Sequence, residues 1–259
     1  MNNYLSSLFN LSGKVALVTG ATGQLGYAIC ESFLASGMNV IGIDLRISQS
    51  RVIQSENIQY FEVDIRNADA LKDFFNKLSS SIISIDVLVN NAGVSVFEPF
   101  EERPEESFDW VMDVNLKGTF FCIQNYVNFQ RINRKHGSIV NVASFYGVIS
   151  PDFRIYTDCS RKNSEVYGAT KAGIIQMSKY FAVHLANDNI KVNCISPGGI
   201  FNPENPQGED FLQNYSFRCP MKRMAKVQEM IGAILYLSSD AASYTTGQNI
   251  IIDGGMSCW

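Results

Sequence analysis

The chain reads as an α/β protein built on a doubly wound, parallel, seven-stranded sheet with helices on both faces. Three observations predict this. Short, nearly continuous apolar runs alternate with longer helical segments, as expected of strands buried on both faces and joined by crossover helices. Polar or turn residues (Gly20, Asp44, Asp64, Asn91, Ser144 and Pro197) fall at or just beyond the ends of those runs, where open α/β sheets bind ligands. No linker, repeat or low-complexity stretch divides the 259 residues, so residues 1–259 are expected to form one domain, a size that α/β domains often reach.

The elements follow in order. Lys14–Thr19 is the first strand, and a glycine-rich turn leads from it into a helix ending near Ser36, where Gly37 is a natural C-cap. Asn39–Asp44 and Gln59–Val63 are the second and third strands, followed by an amphipathic helix over about 68–78. Asp86–Asn90 is the fourth strand, and a long helix is expected from about Pro104, which suits a first helical turn, to Phe129. Ser138–Ala143 is the fifth strand. A helix headed by Tyr167 ends near Asn187, before a sixth strand over Ile190–Ile195. A polar, proline-containing loop is expected over Pro197–Pro220, then a helix over Val227–Leu237 and a last strand at Asn249–Ile252.

Composition narrows the function classes. Apolar residues make up 46% of the chain and charged residues 18%, a globular balance with enough apolar material for one sizeable core. Twenty-one basic against 25 acidic residues leave a net charge of −4, which gives no general reason to bind nucleic acid or an anionic membrane. The six cysteines (Cys30, Cys122, Cys159, Cys194, Cys219 and Cys258) form no C-x-x-C pair, so neither a zinc site nor a redox motif is suggested. Most lie in apolar runs and read as small buried hydrophobes. His136 and His184, the only histidines, read as structural, and no metal is expected. Neither a signal peptide nor an apolar run of membrane-spanning length is visible, and the expected location is the cytoplasm.

Two stretches carry chemistry. Thr19-Gly20-Ala21-Thr22-Gly23-Gln24-Leu25-Gly26 joins the first strand to the first helix. Glycines there allow a tight turn and a close approach of pyrophosphate to backbone, and the helix N-terminus adds free N–H groups. Asp44 ends the second strand, where a carboxylate hydrogen-bonds a ribose 2′-OH and repels a 2′-phosphate. That favours NAD over NADP, although Arg46 nearby could accept such a phosphate. Asp64 could accept from an adenine amino group. The second stretch is Tyr167-Gly168-Ala169-Thr170-Lys171, whose phenol and ammonium share one helical face. A charge pair about 4 Å apart is worth roughly 4 kcal/mol near a surface. Lys171 is therefore expected to lower the phenol's pKa of about 10 towards the range useful for proton transfer at neutral pH.

These motifs, with Asn90-Asn91-Ala92-Gly93, Asn115, Ser144, Pro197-Gly198-Gly199-Ile200 and the ending Thr246-Gly247-Gln248…Asp253-Gly254-Gly255, resemble the short-chain dehydrogenase/reductase family in order and over nearly the whole chain. The resemblance implies a Rossmann-type sheet. It implies a dinucleotide held by Gly20, Thr22, Gly23, Gln24, Leu25, Gly26, Asp44, Asp64, Ile65, Asn91, Ala92, Gly93, Tyr167, Lys171, Pro197, Gly198 and Ile200. It makes Tyr167 the general acid/base, Lys171 its activator and the holder of the nicotinamide ribose, and Ser144 the hydrogen-bond donor to the reacting oxygen. Asn115 would hold a water linking Lys171 to solvent.

Three departures stand out. The single-domain subfamily usually spaces its glycines T-G-x-x-x-G-x-G, whereas here Gln24 stands at the middle glycine and Gly23 precedes it, as in the extended subfamily that handles nucleotide sugars. Residues 145–166 make an unusually long separation between Ser144 and Tyr167, and the insertion near 145–165 should overhang the site. Phe201 and Asn202 follow Ile200 where a threonine or serine often contacts the nicotinamide amide.

The segments 144–156 and 196–223 look closer to the oxidoreductases of bacterial flagellin modification and legionaminic-acid synthesis. Arg154, Arg161, Lys162, Arg218, Lys222 and Arg223 lie in the insertion and in the substrate loop near 198–224. They suggest an anionic substrate such as a phosphorylated or nucleotide-linked sugar, although nearby acidic residues dilute the signal. Aromatic residues in the same segments suggest a lid over a ring-shaped ligand, or bury themselves. The expected activity is hydride transfer between NAD(H) and an alcohol or carbonyl of a sugar derivative. The alternatives are a sugar-nucleotide epimerase or dehydratase with tightly bound NAD, and a nucleotide-sensing protein without turnover. A homodimer or homotetramer is implied, using the two long helices, with Tyr126, Phe129, Met177, Tyr180 and Phe181 as candidate contacts, core packing being their plainer reading.

Overall fold

The structure is a computed structural model, and it describes residues 4–80, 84–133, 136–157 and 162–259. Seven strands form one sheet: β1 Val15–Thr19, β2 Asn39–Asp44, β3 Ile58–Glu62, β4 Val87–Asn90, β5 Gly137–Val142, β6 Ile190–Pro197 and β7 Asn249–Ile252. All neighbours pair parallel, in the order β3-β2-β1-β4-β5-β6-β7. The chain winds outward from β1 to β3, then restarts at β4 on the other side of β1. The crevice between the carboxyl ends of β1 and β4 is thus the switch point at which such sheets take ligands.

The helices are α1 Tyr4–Leu8, α2 Gln24–Ala35, α3 Ala68–Leu78, α4 Glu105–Met112, α5 Thr119–Asn133, α6 Glu165–His184, α7 Glu209–Arg218 and α8 Ile231–Ser238. Alternation along the strands sorts the core into two layers. Leu17, Leu88 and Ile139 face a layer that includes Phe74, Phe75, Ile123 and Tyr126 from α3 and α5. Ala16, Val18, Val87, Val89 and Val140 face Ile29, Phe33, Ile234 and Leu237 from α2 and α8. Both sheet faces are covered, which is why the strands read as apolar runs rather than as alternating patterns.

Two expectations about elements are corrected. The stretch expected as one helix from Pro104 to Phe129 is α4 and α5 joined by a π-helical turn at Asp113–Gly118, the kind of irregularity that collects at functional sites. The loop expected over Pro197–Pro220 contains α7, whose only buried side chains, Phe211 and Tyr215, lie one turn apart on the same face. Of the residues that were candidate subunit contacts or core, Tyr126 and Phe129 are core, and the Tyr126 hydroxyl donates to the Ile85 carbonyl at 3.0 Å. Of the cysteines, Cys30, Cys122, Cys194 and Cys219 are buried and Cys258 is exposed. Cys159 lies outside the described residues. Among the described residues no helix is long and apolar enough to cross a membrane.

Candidate active site

The glycine turn is built from close backbone contact. Gly20 adopts φ +64°, and a Cβ there would lie 2.8 Å from the Ala92 Cα. A Cβ on Gly26 would lie 1.9 Å from the Gly20 carbonyl oxygen, so no side chain fits at this crossing of turn and helix. Asn91 fixes the turn to β4, its amide donating to the Thr19 and Gly20 carbonyls at 3.0 Å each. The Thr19 hydroxyl accepts from the Asn91 and Ala92 amides at 3.0 and 2.9 Å. Thr19 was not among the site residues expected from the sequence, yet its place directly before Gly20 was a usable signal. Gly23 is the N-cap of α2 and brings no side-chain cap, so the helix presents uncapped N–H groups and the positive end of its dipole to the crevice.

A cleft of about 330 Å³ opens there. It brings together Gly20, Gly23, Gln24, Leu25, Asp44, Asp64, Ile65, Asn91, Ala92 and Gly93 from the expected set, and adds Arg66, Val94, Trp110 and Val114. Thr22 lies beneath it. Its amide and hydroxyl donate to Asp44 Oδ2 at 3.0 and 2.8 Å, while Asp44 Oδ1 accepts from the Leu45 amide at 2.8 Å. Asp64 is held by Arg66 through both carboxylate oxygens, at 2.7 to 3.1 Å, and that guanidinium lowers its pKa below the ordinary value. An adenine amino group at Asp64 would therefore share its acceptor with Arg66. Pro197, the last residue of β6, and Gly198 and Ile200 on the segment leaving it lie outside this cleft. Gly198 packs against Asp253, and Ile200 joins the core layer under α2.

At the far end of the rim, Ser164 caps α6 and its hydroxyl accepts from the Tyr167 amide at 3.3 Å. That sets the first turn from which Tyr167 and Lys171 project. Lys171 is only 3% exposed, and its Nζ donates to the Val142 carbonyl at 2.9 Å. Nζ lies 5.4 Å from the centroid of the Tyr167 ring. Ser144 Oγ accepts from the Tyr146 amide at 3.1 Å, and the hydroxyl hydrogen-bonds Tyr167. A Cβ on Gly93 would lie 3.3 Å from Lys171 Nζ and 3.4 Å from Asn115 Oδ1, so the bare backbone at Gly93 links the cleft to the tyrosine end.

Electrostatics correct one expectation. Burial raises the Tyr167 pKa, opposed only by the hydrogen bond with Ser144. Lys171, whose Nζ donates to Val142 and sits over the ring, is not among the groups that lower it. Burial instead pushes Lys171 itself down, to about 8. The water-holding role expected of Asn115 meets a side chain already in use. Oδ1 accepts from the Val94 amide at 2.8 Å, and Nδ2 donates to the Val94 carbonyl and to Thr170 Oγ1 at 2.9 and 3.1 Å.

The insertion and the substrate loop form one small apolar body at this end, with Phe145, Ile155, Phe211, Tyr215, Cys219, Met224 and Met256 buried together. These aromatics mostly bury themselves; Phe153 and Phe217 stay exposed. The described basic residues of these segments do not converge on one site. Arg154 and Arg218 both pair with Asp152, Arg223 pairs with Glu229, and Lys162 and Lys222 sit over Phe153 and Phe217. Arg161 lies outside the described residues.

A Rossmann-type sheet with an open glycine turn at one end of its rim and a tyrosine, lysine and serine at the other defines a nicotinamide-dependent dehydrogenase or reductase. The chain belongs to the short-chain dehydrogenase/reductase family. A family model described as enoyl-(acyl carrier protein) reductase matches residues 20–257. A short-chain dehydrogenase from Leptospira borgpetersenii, solved with bound NAD+, superimposes with a TM-score of 0.91 at 39% identity, over 99% of this chain and 96% of that one. The 3-oxoacyl-(acyl-carrier-protein) reductase FabG of Thermotoga maritima is 37% identical, over 95% of this chain and 98% of its own length. An NAD-dependent glycerol dehydrogenase of Listeria innocua is 34% identical, over 95% of each.

Proposed function

We propose that the chain transfers hydride between NAD(H) and an alcohol or carbonyl group of a small hydroxylated substrate. The observation that carries this reading is the constellation of half-buried Tyr167 with buried Ser144 and Lys171, joined through Gly93 to the glycine-turn cleft. The cleft fits a dinucleotide: uncapped N–H groups at α2 suit a pyrophosphate, and the Asp44 carboxylate at the end of β2 suits a ribose 2′-OH and disfavours a 2′-phosphate. Lys171 would hold the nicotinamide ribose hydroxyls beside Gly93. When bound, the nicotinamide supplies the hydride donor or acceptor.

The chain's own residues handle the proton. In the reducing direction the neutral Tyr167 phenol gives its proton to the substrate oxygen as that oxygen gains charge. In the oxidising direction it takes the hydroxyl proton back. Ser144 donates to the same oxygen and stabilises the charge that develops there. Asn115, pinned between Val94 and Thr170, keeps the Gly93 backbone and α6 in register rather than touching substrate.

For the substrate, the likeness to a glycerol dehydrogenase supports a polyol or sugar derivative. The resemblance of segments 144–156 and 196–223 narrows this to a sugar of nonulosonic-acid or flagellin-glycan synthesis. The paired state of Asp152, Arg154, Arg218 and Arg223 favours a neutral sugar over a phosphorylated one. The likeness to the acyl-carrier reductase favours a second reading, a 3-oxoacyl thioester. The deciding experiment follows absorbance at the NADH band with polyols, amino sugars, nucleotide-linked sugars and a 3-oxoacyl thioester, each with NAD(H) and NADP(H). Turnover with a sugar derivative and NAD(H) supports the first reading, and turnover with the thioester alone supports the second.

A further inference from the structure

Gln24 is the residue that departs from the usual glycine spacing, and the structure gives its side chain a partner far along the chain. Its Nε2 donates to the Phe201 carbonyl at 2.7 Å. Phe201 is the residue at which the segment leaving β6 turns back: its amide donates to the Ala225 carbonyl at 2.9 Å, and the Glu204 amide closes the following turn on Asn202 Oδ1 at 3.1 Å. The same segment is held a second time, by an ion pair between Glu204 and Arg51 in the connection that follows β2. Both contacts bridge a cleft of about 470 Å³ that runs between α2 and residues 201–204. A glycine at position 24 would have no side chain with which to make the first of them.

We propose that Gln24 is a positioning residue that latches the segment after β6 onto the glycine turn, and that this latch sets how long the dinucleotide stays bound. The inference rests on the dinucleotide reading of the same turn. Gln24 opens α2 at the uncapped end that suits a pyrophosphate, and Gly198 and Ile200 lie between Pro197, the last residue of β6, and the latched residue. A dinucleotide stretched along this rim would have to leave past a segment that is tied down at both Phe201 and Glu204. Opening the latch then becomes part of release, whereas the proton-transfer groups at Ser144, Tyr167 and Lys171 stay where they are.

The test measures NADH dissociation by stopped-flow fluorescence for the unaltered protein, for Gln24→Met and for Arg51→Met. Methionine keeps the length of the side chain and removes only the donor. Gln24→Met is expected to release NADH about five- to tenfold faster, the scale of one hydrogen bond. The KM for NAD should rise in the same ratio while the single-turnover hydride-transfer rate stays level. Arg51→Met, acting on an exposed ion pair, should accelerate release by a smaller factor of about two. If Gln24→Met releases NADH within twofold of the unaltered protein, the latch is refuted. A loss confined to hydride transfer would also refute it, because Gln24 would then orient the cofactor rather than retain it. Failure of the unaltered protein to bind NADH at all would instead refute the dinucleotide reading, so the two failures are distinguishable.

Discussion

At Tyr167 and Lys171 burial pushes two ionisations in opposite directions. The phenol is harder to ionise than a free tyrosine, and the ammonium loses its proton at about 8. Near neutral pH the site therefore holds a protonated phenol and a charged lysine, which is the state a carbonyl reductase needs. The reductive kcat/KM should be level below about pH 8 and fall as Lys171 deprotonates. A profile flat to high pH would contradict this assignment. The same shift has a stability consequence. The folded pKa of Lys171 lies below its ordinary 10.5, so the unfolded chain binds the extra proton in the window between. Stability from this group rises with pH through that window and its cost is complete below it. About 1.4 kcal/mol per unit gives a total of roughly 3 kcal/mol. Denaturant midpoints of the nucleotide-free protein at pH 8 and pH 9.5, compared with those of Lys171→Met, isolate this contribution. The rise in midpoint should be smaller in the variant, and an equal rise in both proteins would contradict it.

The elements that bring these groups together depend on a few contacts whose loss is readily measured. Gly26→Ala would force a methyl to 1.9 Å from the Gly20 carbonyl. The expected outcome is a shifted turn, loss of NADH binding in a fluorescence titration and a stability loss above about 2 kcal/mol. Arg103 ties the 98–103 segment to the head of α6, bonding Glu165 Oε1 at 2.7 Å and Glu98 Oε2 at 2.8 Å. Its side chain is nearly enclosed but both carboxylates are partly exposed. Arg103→Met should therefore cost only about 1–2 kcal/mol, seen as a lowered melting temperature. The strands were legible in the sequence because burial on both faces leaves continuous apolar runs, and the glycine turn was legible because its position between strand and helix is diagnostic. Helix α7 was not. It lies among proline, glycine and charged residues, and only Phe211 and Tyr215 hold it down, too few apolar positions to show a helical period. The π-helical turn was hidden because its residues look helical one by one.

For the molecule as a whole, the outer faces of α5 and α6 carry apolar residues that stay exposed among the described residues. Tyr180 is 62% exposed, Val183 82% and Ile132 79%. An interface on these helices would use Tyr180 and its neighbours rather than Tyr126 and Phe129, which fill the core. Light scattering should give a dimer or tetramer, and Val183→Glu should lower the observed mass without unfolding the protein. A monomeric unaltered protein would contradict this. The sign of the Tyr167 shift and the pairing of the basic loop residues could not be read from the sequence. Both depend on which groups the fold encloses together, such as Lys171 with Val142 or Arg218 with Asp152, and those partners are distant in the chain.

The central claim is that the Tyr167 hydroxyl moves the proton while a dinucleotide lies along the sheet's carboxyl rim. Tyr167→Phe tests it most directly, with turnover and NADH affinity measured on the same preparation. Turnover should fall by about 10²–10⁴-fold with NADH affinity within a few-fold of the unaltered protein. Turnover that survives the loss of this one hydroxyl would contradict the account.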